Sequence, residues 1–203
     1  MKSARTISTP AVIGAVTISA LAIVAYGFAT NDGWNEEGAG AAARLTARFS
    51  FPIFVLAWSA SALARLWPGG WRSVVLRRRR AIGLSFAAAH FVHLGALLIA
   101  VLVFGDQPKP TTVFGGGAGY VLIAAMALTS NDAAVRAMGP RNWKLLHAVG
   151  GYAIATIFAV SYLGRVETNP ALGVPAMILI GAAALLRLAA WLKSRTPRAA
   201  LQR

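Results

Sequence analysis

The sequence predicts an all-α, polytopic membrane protein, a bundle of six transmembrane helices with both termini cytoplasmic. Three observations predict it. Of the 203 residues 57% are hydrophobic and only 13% charged, with a positive mean hydropathy, which is too apolar for a soluble domain of this length. Apolar windows of roughly 20 residues, enough for a helix to cross a hydrocarbon core of ~30 Å, recur along the whole chain. Basic residues crowd alternate connections between these windows, the pattern the positive-inside rule gives to the cytoplasmic side.

A cytoplasmic N-terminal segment, 1–10, leads into the first span, 11–30, which opens after Pro10 and closes at "NDGWNEEGAG". Its basic start and small-residue end resemble a signal peptide, but the spans that follow favour a retained first helix. The second span, 45–67, carries Pro52 near its start and ends at the interfacial turn "WPGGW". The third, 81–104, follows the run Arg77 to Arg80. The fourth, 113–129, opens on "FGGGAG", a stretch so weakly helical that only close packing would favour it. The fifth, 143–163, follows "GPRN"; the sixth, 171–192, follows "TNP", and a basic tail, 193–203, ends the chain.

Arg65, Arg72 and Arg77 to Arg80 fill the second connection, and Arg136, Arg141 and Lys144 flank the fourth. Asp32, Glu36, Glu37, Asp106 and Glu167 mark the first, third and fifth connections as outward-facing. The formal charge of +14 therefore records topology and contact with anionic lipid rather than nucleic-acid binding. Localisation in the inner (cytoplasmic) membrane follows as an expectation.

The chain has no cysteine, which excludes disulfides, thiolate metal sites, iron–sulfur clusters and a cysteine nucleophile. It has three histidines, His90, His93 and His147, all within or at the edge of spans. Ionisable groups are costly in lipid, so these are the candidate functional residues. His90 and His93 lie about 300° apart around one helix and share a broad face. Two readings stand side by side: the imidazoles hydrogen-bond neighbouring helices, or they line a cavity and bind heme iron from facing helices. Counted from Arg80, His90 lies roughly 15 Å and His93 roughly 20 Å along its helix, whereas His147 lies only about 6 Å beyond Trp143. The depths match poorly, and His90 is the easier partner for His147. Arg48, Arg65 and Arg187 read as snorkelling side chains that are also able to pair with heme propionates. Trp143 and Trp191 read as interfacial anchors, and Trp58 as packing. "HFVH" lacks the acidic base of a zinc hydrolase.

Several stretches together resemble the ferric-reductase-like transmembrane superfamily, above all the heme-binding membrane subunits of periplasmic methionine sulfoxide reductase systems. They are "RRAIGL" with His93 ten positions after Gly83, "ARLTARFSFPIFVLAWSASALARL", "LTSNDAAVRAMGPRNWKLLH" and "SYLGR". The resemblance covers residues 43–190. It implies one b-type heme in a helical bundle, with His93 and His147 at heme-ligand positions; His90 has no counterpart in that pattern and stands as a third candidate by its depth alone. It implies electrons taken from quinol or a flavoprotein and passed to an outward-facing acceptor, a periplasmic reductase partner among them. Where the family has a further histidine, this chain has Ser161, so the ligation implied is altered. The competing reading is a non-enzymatic scaffold or small transporter on the same fold that has lost heme. Against transport, no intramembrane carboxylate is present to couple ions, and Gly115 to Gly117 are the one hint of a broken helix.

Overall fold

The computed structural model describes residues 8–195; the expected tail beyond 195 and the first seven residues lie outside the described residues. Eight helices follow in order: α1 Thr9–Ala29, α2 Glu36–Leu66, α3 Gly70–Leu102, α4 Pro110–Leu128, α5 Asp132–Met138, α6 Pro140–Leu163, α7 Arg165–Thr168 and α8 Pro170–Arg195. Six of these stretches, with α6 and α7 counted as one, are long and apolar enough to cross a membrane. Large apolar side chains such as Leu102, Phe114 and Leu128 are more than three-quarters exposed on their outer faces, as lipid-facing residues are.

Two helices begin well before the apolar windows do. The helix α2 starts at Glu36 rather than near residue 45. Asn35 caps it by accepting from Gly38 N at 2.7 Å, Glu36 and Glu37 complement the N-terminal dipole, and the alanine-rich turns that follow are strong helix formers. The helix α3 starts at Gly70, after Gly69 at φ +100°, so Arg77 to Arg80 form a helical extension rather than a loop. Arginine has high helix propensity, and nothing after Gly70 breaks the turn. The glycine run of α4 is helical without interruption, so the suspected discontinuity is absent from that helix. The fourth connection holds a short helix, α5, capped by Asn131.

Helices α1, α2 and α3 pack closely through small residues. A Cβ on Gly27 would meet the backbone of Ala42 at 2.6 Å. Helix α4 packs on α3 and α6, and α8 on α2 and α6. Between α2 and α3 on one side and α4 and α6 on the other, a layer of large rings fills the middle of the bundle. Phe54, Phe86 and Phe158 meet with centroids 5.2–6.3 Å apart, and Phe51 joins Phe158 at 5.1 Å. Ile123, Ile154 and Ile180 complete that core. Above and below this layer the two halves stand apart, and each gap is a cavity.

Candidate functional site

The first cavity, about 470 Å³, lies at the end where the acidic connections are. Its walls include Ala43, Ala47, His90, His93, Gly116, Tyr120, Phe158 and Ser161, with Arg44, Arg48 and Arg165 around it and no carboxylate in its lining. The second, about 690 Å³, lies at the basic end. It holds His147, Trp143, Gly83, Arg79, Arg80, Lys144 and Arg187, together with Asp132. Both volumes lie in the range of ligand pockets. Ile123 lines both, so the ring layer is the partition between them.

The structure brings His90 and His93 together and leaves His147 apart in the other cavity. The depth mismatch read from the sequence is thus present in the fold, and His90 does not meet His147. His93 and His90 are tethered to α2 by two hydroxyls one turn apart. Thr46 Oγ1 lies 3.2 Å from His93 Nδ1, and Ser50 Oγ lies 2.9 Å from His90 Nδ1. Each hydroxyl can donate its own proton to a carbonyl of α2, Thr46 to Ala42 at 2.7 Å and Ser50 to Ala47 at 3.0 Å. A hydroxyl that keeps its carbonyl bond accepts from Nδ1–H, and one that turns to the ring donates to a bare Nδ1; the distances serve both tautomers. In the first case Nε2 keeps its lone pair, the state of a metal-binding imidazole.

His147 is held the other way round. Thr129 Oγ1 lies 2.7 Å from Ala125 O and faces His147 Nε2 at 3.4 Å, a long contact that reaches the ring through Nε2 rather than Nδ1. Trp143 is more than an interfacial anchor. Its ring lies 4.2 Å from that of His147, and its Nε1 donates to Thr129 O at 2.9 Å.

Tyr120, Thr46 and Ser50 were not singled out by sequence. Tyr120 stacks on His90 at 5.1 Å, and its buried hydroxyl has no hydrogen-bond partner. Gly115 and Gly116 line the first cavity with nothing within 4 Å of where a Cβ would stand, so the α4 wall there is flat and open. Thr46 and Ser50 were legible only as two hydroxyl residues four apart. Arg187 does not snorkel. It turns inward to donate to Trp58 O at 2.7 Å and lies over the rings of Trp58 and Tyr152 at 4.8 and 5.0 Å. Arg65 reaches Ala190 O at 3.5 Å, at the limit of a hydrogen bond.

Fold and cavities together define a multi-pass membrane protein whose histidines line two half-open cavities near opposite ends of the bundle. No family model matches the chain, and no solved structure matches it. Two curated relatives do. The methionine sulfoxide reductase heme-binding subunit MsrQ of Azospira oryzae is 33% identical over 104 residues, covering 48% of this chain and 44% of the relative. Its counterpart from Rhodospirillum rubrum is 32% identical over 124 residues, 58% of each chain. The matches span about half the length of those relatives, and over that part the chain is MsrQ-like.

Proposed function

We propose that the chain is a heme-binding membrane subunit that carries electrons across the bilayer to a methionine sulfoxide reductase-type partner. The observation that carries this reading is the pair His90 and His93 on one cavity, each with Nδ1 against a hydroxyl of α2, which leaves Nε2 available to a metal when Nδ1 bears the proton. The same cavity suits heme in three further respects. Gly115 and Gly116 leave a flat wall for a broad ring system, Arg44, Arg48 and Arg165 offer charge to two propionates, and the lining holds no opposing carboxylate.

His93 would hold the iron, with His90, packed among Phe86, Tyr120 and Phe158, beside it. When bound, heme b supplies reversible one-electron transfer. The residues of this chain set its polarity and exclude water through the ring layer of Phe54, Phe86 and Phe158. The basic end is cytoplasmic, and the chamber around His147 with Arg79, Arg80, Lys144 and Arg187 is where quinol or a flavoprotein delivers electrons. The acidic end faces the acceptor, in an inner-membrane arrangement.

The test is the reduced-minus-oxidised spectrum of the purified chain. A b-type band is expected in the wild type, lost in His93→Ala and retained in His147→Ala. A colourless wild type after expression with ample heme would leave only a scaffold.

A further inference from the structure

Every nitrogen or sulfur side chain suited to an axial position can be counted from the sequence: three histidines, four methionines and no cysteine. Among the described residues, the cavity at the acidic end is lined by two of them, His90 and His93, and both come from α3. His147 and Met126 line the other cavity. The rings of His90 and His93 lie 5.0 Å apart, the separation of rings in direct contact. Axial ligands stand on opposite faces of a macrocycle, and none can pass between two rings that touch on successive turns of one helix. At most one of them holds iron. Facing α3 across the cavity are Gly115, Gly116, Gly119 and Tyr120 of α4 and Phe158 and Ser161 of α6. None is a nitrogen or sulfur base, and a serine hydroxyl is a poor axial ligand.

We propose, on the reading that heme occupies this cavity, that the iron is held from the α3 side alone and that its second axial position stands open to small diatomic ligands. A neutral diatomic molecule fits a chamber whose open wall is glycine. Tyr120, whose buried hydroxyl has no hydrogen-bond partner, is a donor available to it beside the paired histidines. Donors and steric access beside the open position decide between ligand binding and simple electron relay. The chain thus has a gas-binding capacity in addition to its electron-transfer role.

The experiment uses the full chain, purified in detergent after expression with ample heme, and three probes. Carbon monoxide is expected to shift the Soret band of nearly all the reduced heme, and added imidazole to convert the oxidised heme from high spin to low spin. Ser161→His is expected to fill the position from within and abolish both responses. Tyr120→Phe is expected to keep carbon monoxide binding while raising the bound C–O stretching frequency, a signature of a lost donor that a purely structural role would not produce.

A heme-loaded wild type that ignores both carbon monoxide and imidazole overturns the proposal and leaves the heme reading intact. A carbon monoxide response that appears only in Tyr120→Phe overturns it too, because Tyr120 would then occupy the position itself. A colourless wild type overturns the heme reading and the proposal with it. If Ser161→His does not fold, the two wild-type titrations decide the matter alone.

Discussion

At the acidic end His90 and His93 each set Nδ1 against a hydroxyl of α2, whereas at the basic end His147 sets Nε2 against Thr129, the residue that caps α4. One chamber has two imidazoles anchored through Nδ1, three arginines and no acid in its lining. The other has a single imidazole turned the opposite way, against Trp143, among four basic side chains and Asp132. Three histidines of similar appearance in sequence are thus chemically of two kinds. The difference is made by the hydroxyls behind them, since the partner of one ring nitrogen fixes what the other can do.

The largest effect should come from filling one chamber and then the other. Gly116 and Gly83 each line one cavity, and a Cβ at either meets nothing within 4 Å, so a leucine there extends into space without displacing backbone. Gly116→Leu is expected to give colourless protein with unchanged helical circular dichroism, and Gly83→Leu to keep its full heme content. Pigment lost from Gly83→Leu alone would reverse the assignment of the chambers.

A smaller effect distinguishes the hydroxyls. Thr46→Val removes the hydroxyl that orients His93 while keeping its shape. Outer-shell changes of this kind cost roughly 10–100-fold in metal affinity, so heme titration of the apoprotein should show a loss of that size. Thr129→Val, behind His147, should show none. Equal behaviour of the two variants would mean that the anchored ring nitrogen is not what separates the chambers.

How much of this was legible in sequence follows from which residues carry it. The six apolar helices were legible because lipid selects on composition over whole windows, and the pairing of His90 with His93 because helical spacing fixes it. Their anchors were not. Thr46 and Ser50 lie 47 and 40 residues away, on turns of α2 that only the packing of α2 on α3 brings alongside. Helix starts at Glu36 and Gly70 were hidden because charged turns beyond the apolar window still propagate a helix. The inward turn of Arg187 depended on Trp58 and Tyr152, from two other helices, meeting beside it.

Smaller still are the arginines of the acidic-end chamber. Arg44, Arg48 and Arg165 are exposed, so each screened ion pair with a propionate is worth ~0.2–1 kcal/mol. Single changes to glutamine should each weaken heme binding by roughly 1.4–5-fold, with the effect growing as ionic strength is lowered. The same change at Lys144, in the basic-end chamber, should leave heme affinity unaltered.

The smallest expected effect lies in the basic-end chamber, where Arg80 and Asp132 form an ion pair at 3.3 Å that ties α3 to the start of α5. Their side chains are 50% and 83% exposed, so solvent screens the pair, and its contribution is under about 1 kcal/mol. Asp132→Asn keeps the size of the side chain, removes its charge, and leaves Arg80 free to hydrate. Thermal unfolding in detergent should therefore shift only slightly at low salt and not at all at 1 M salt, where the Debye length is about 3 Å. Heme content should stay at the wild-type level, because Asp132 lines only the chamber that lacks the paired imidazoles. Loss of pigment in Asp132→Asn would place the iron beside His147 instead, and would invert the comparison between the two ends of the bundle.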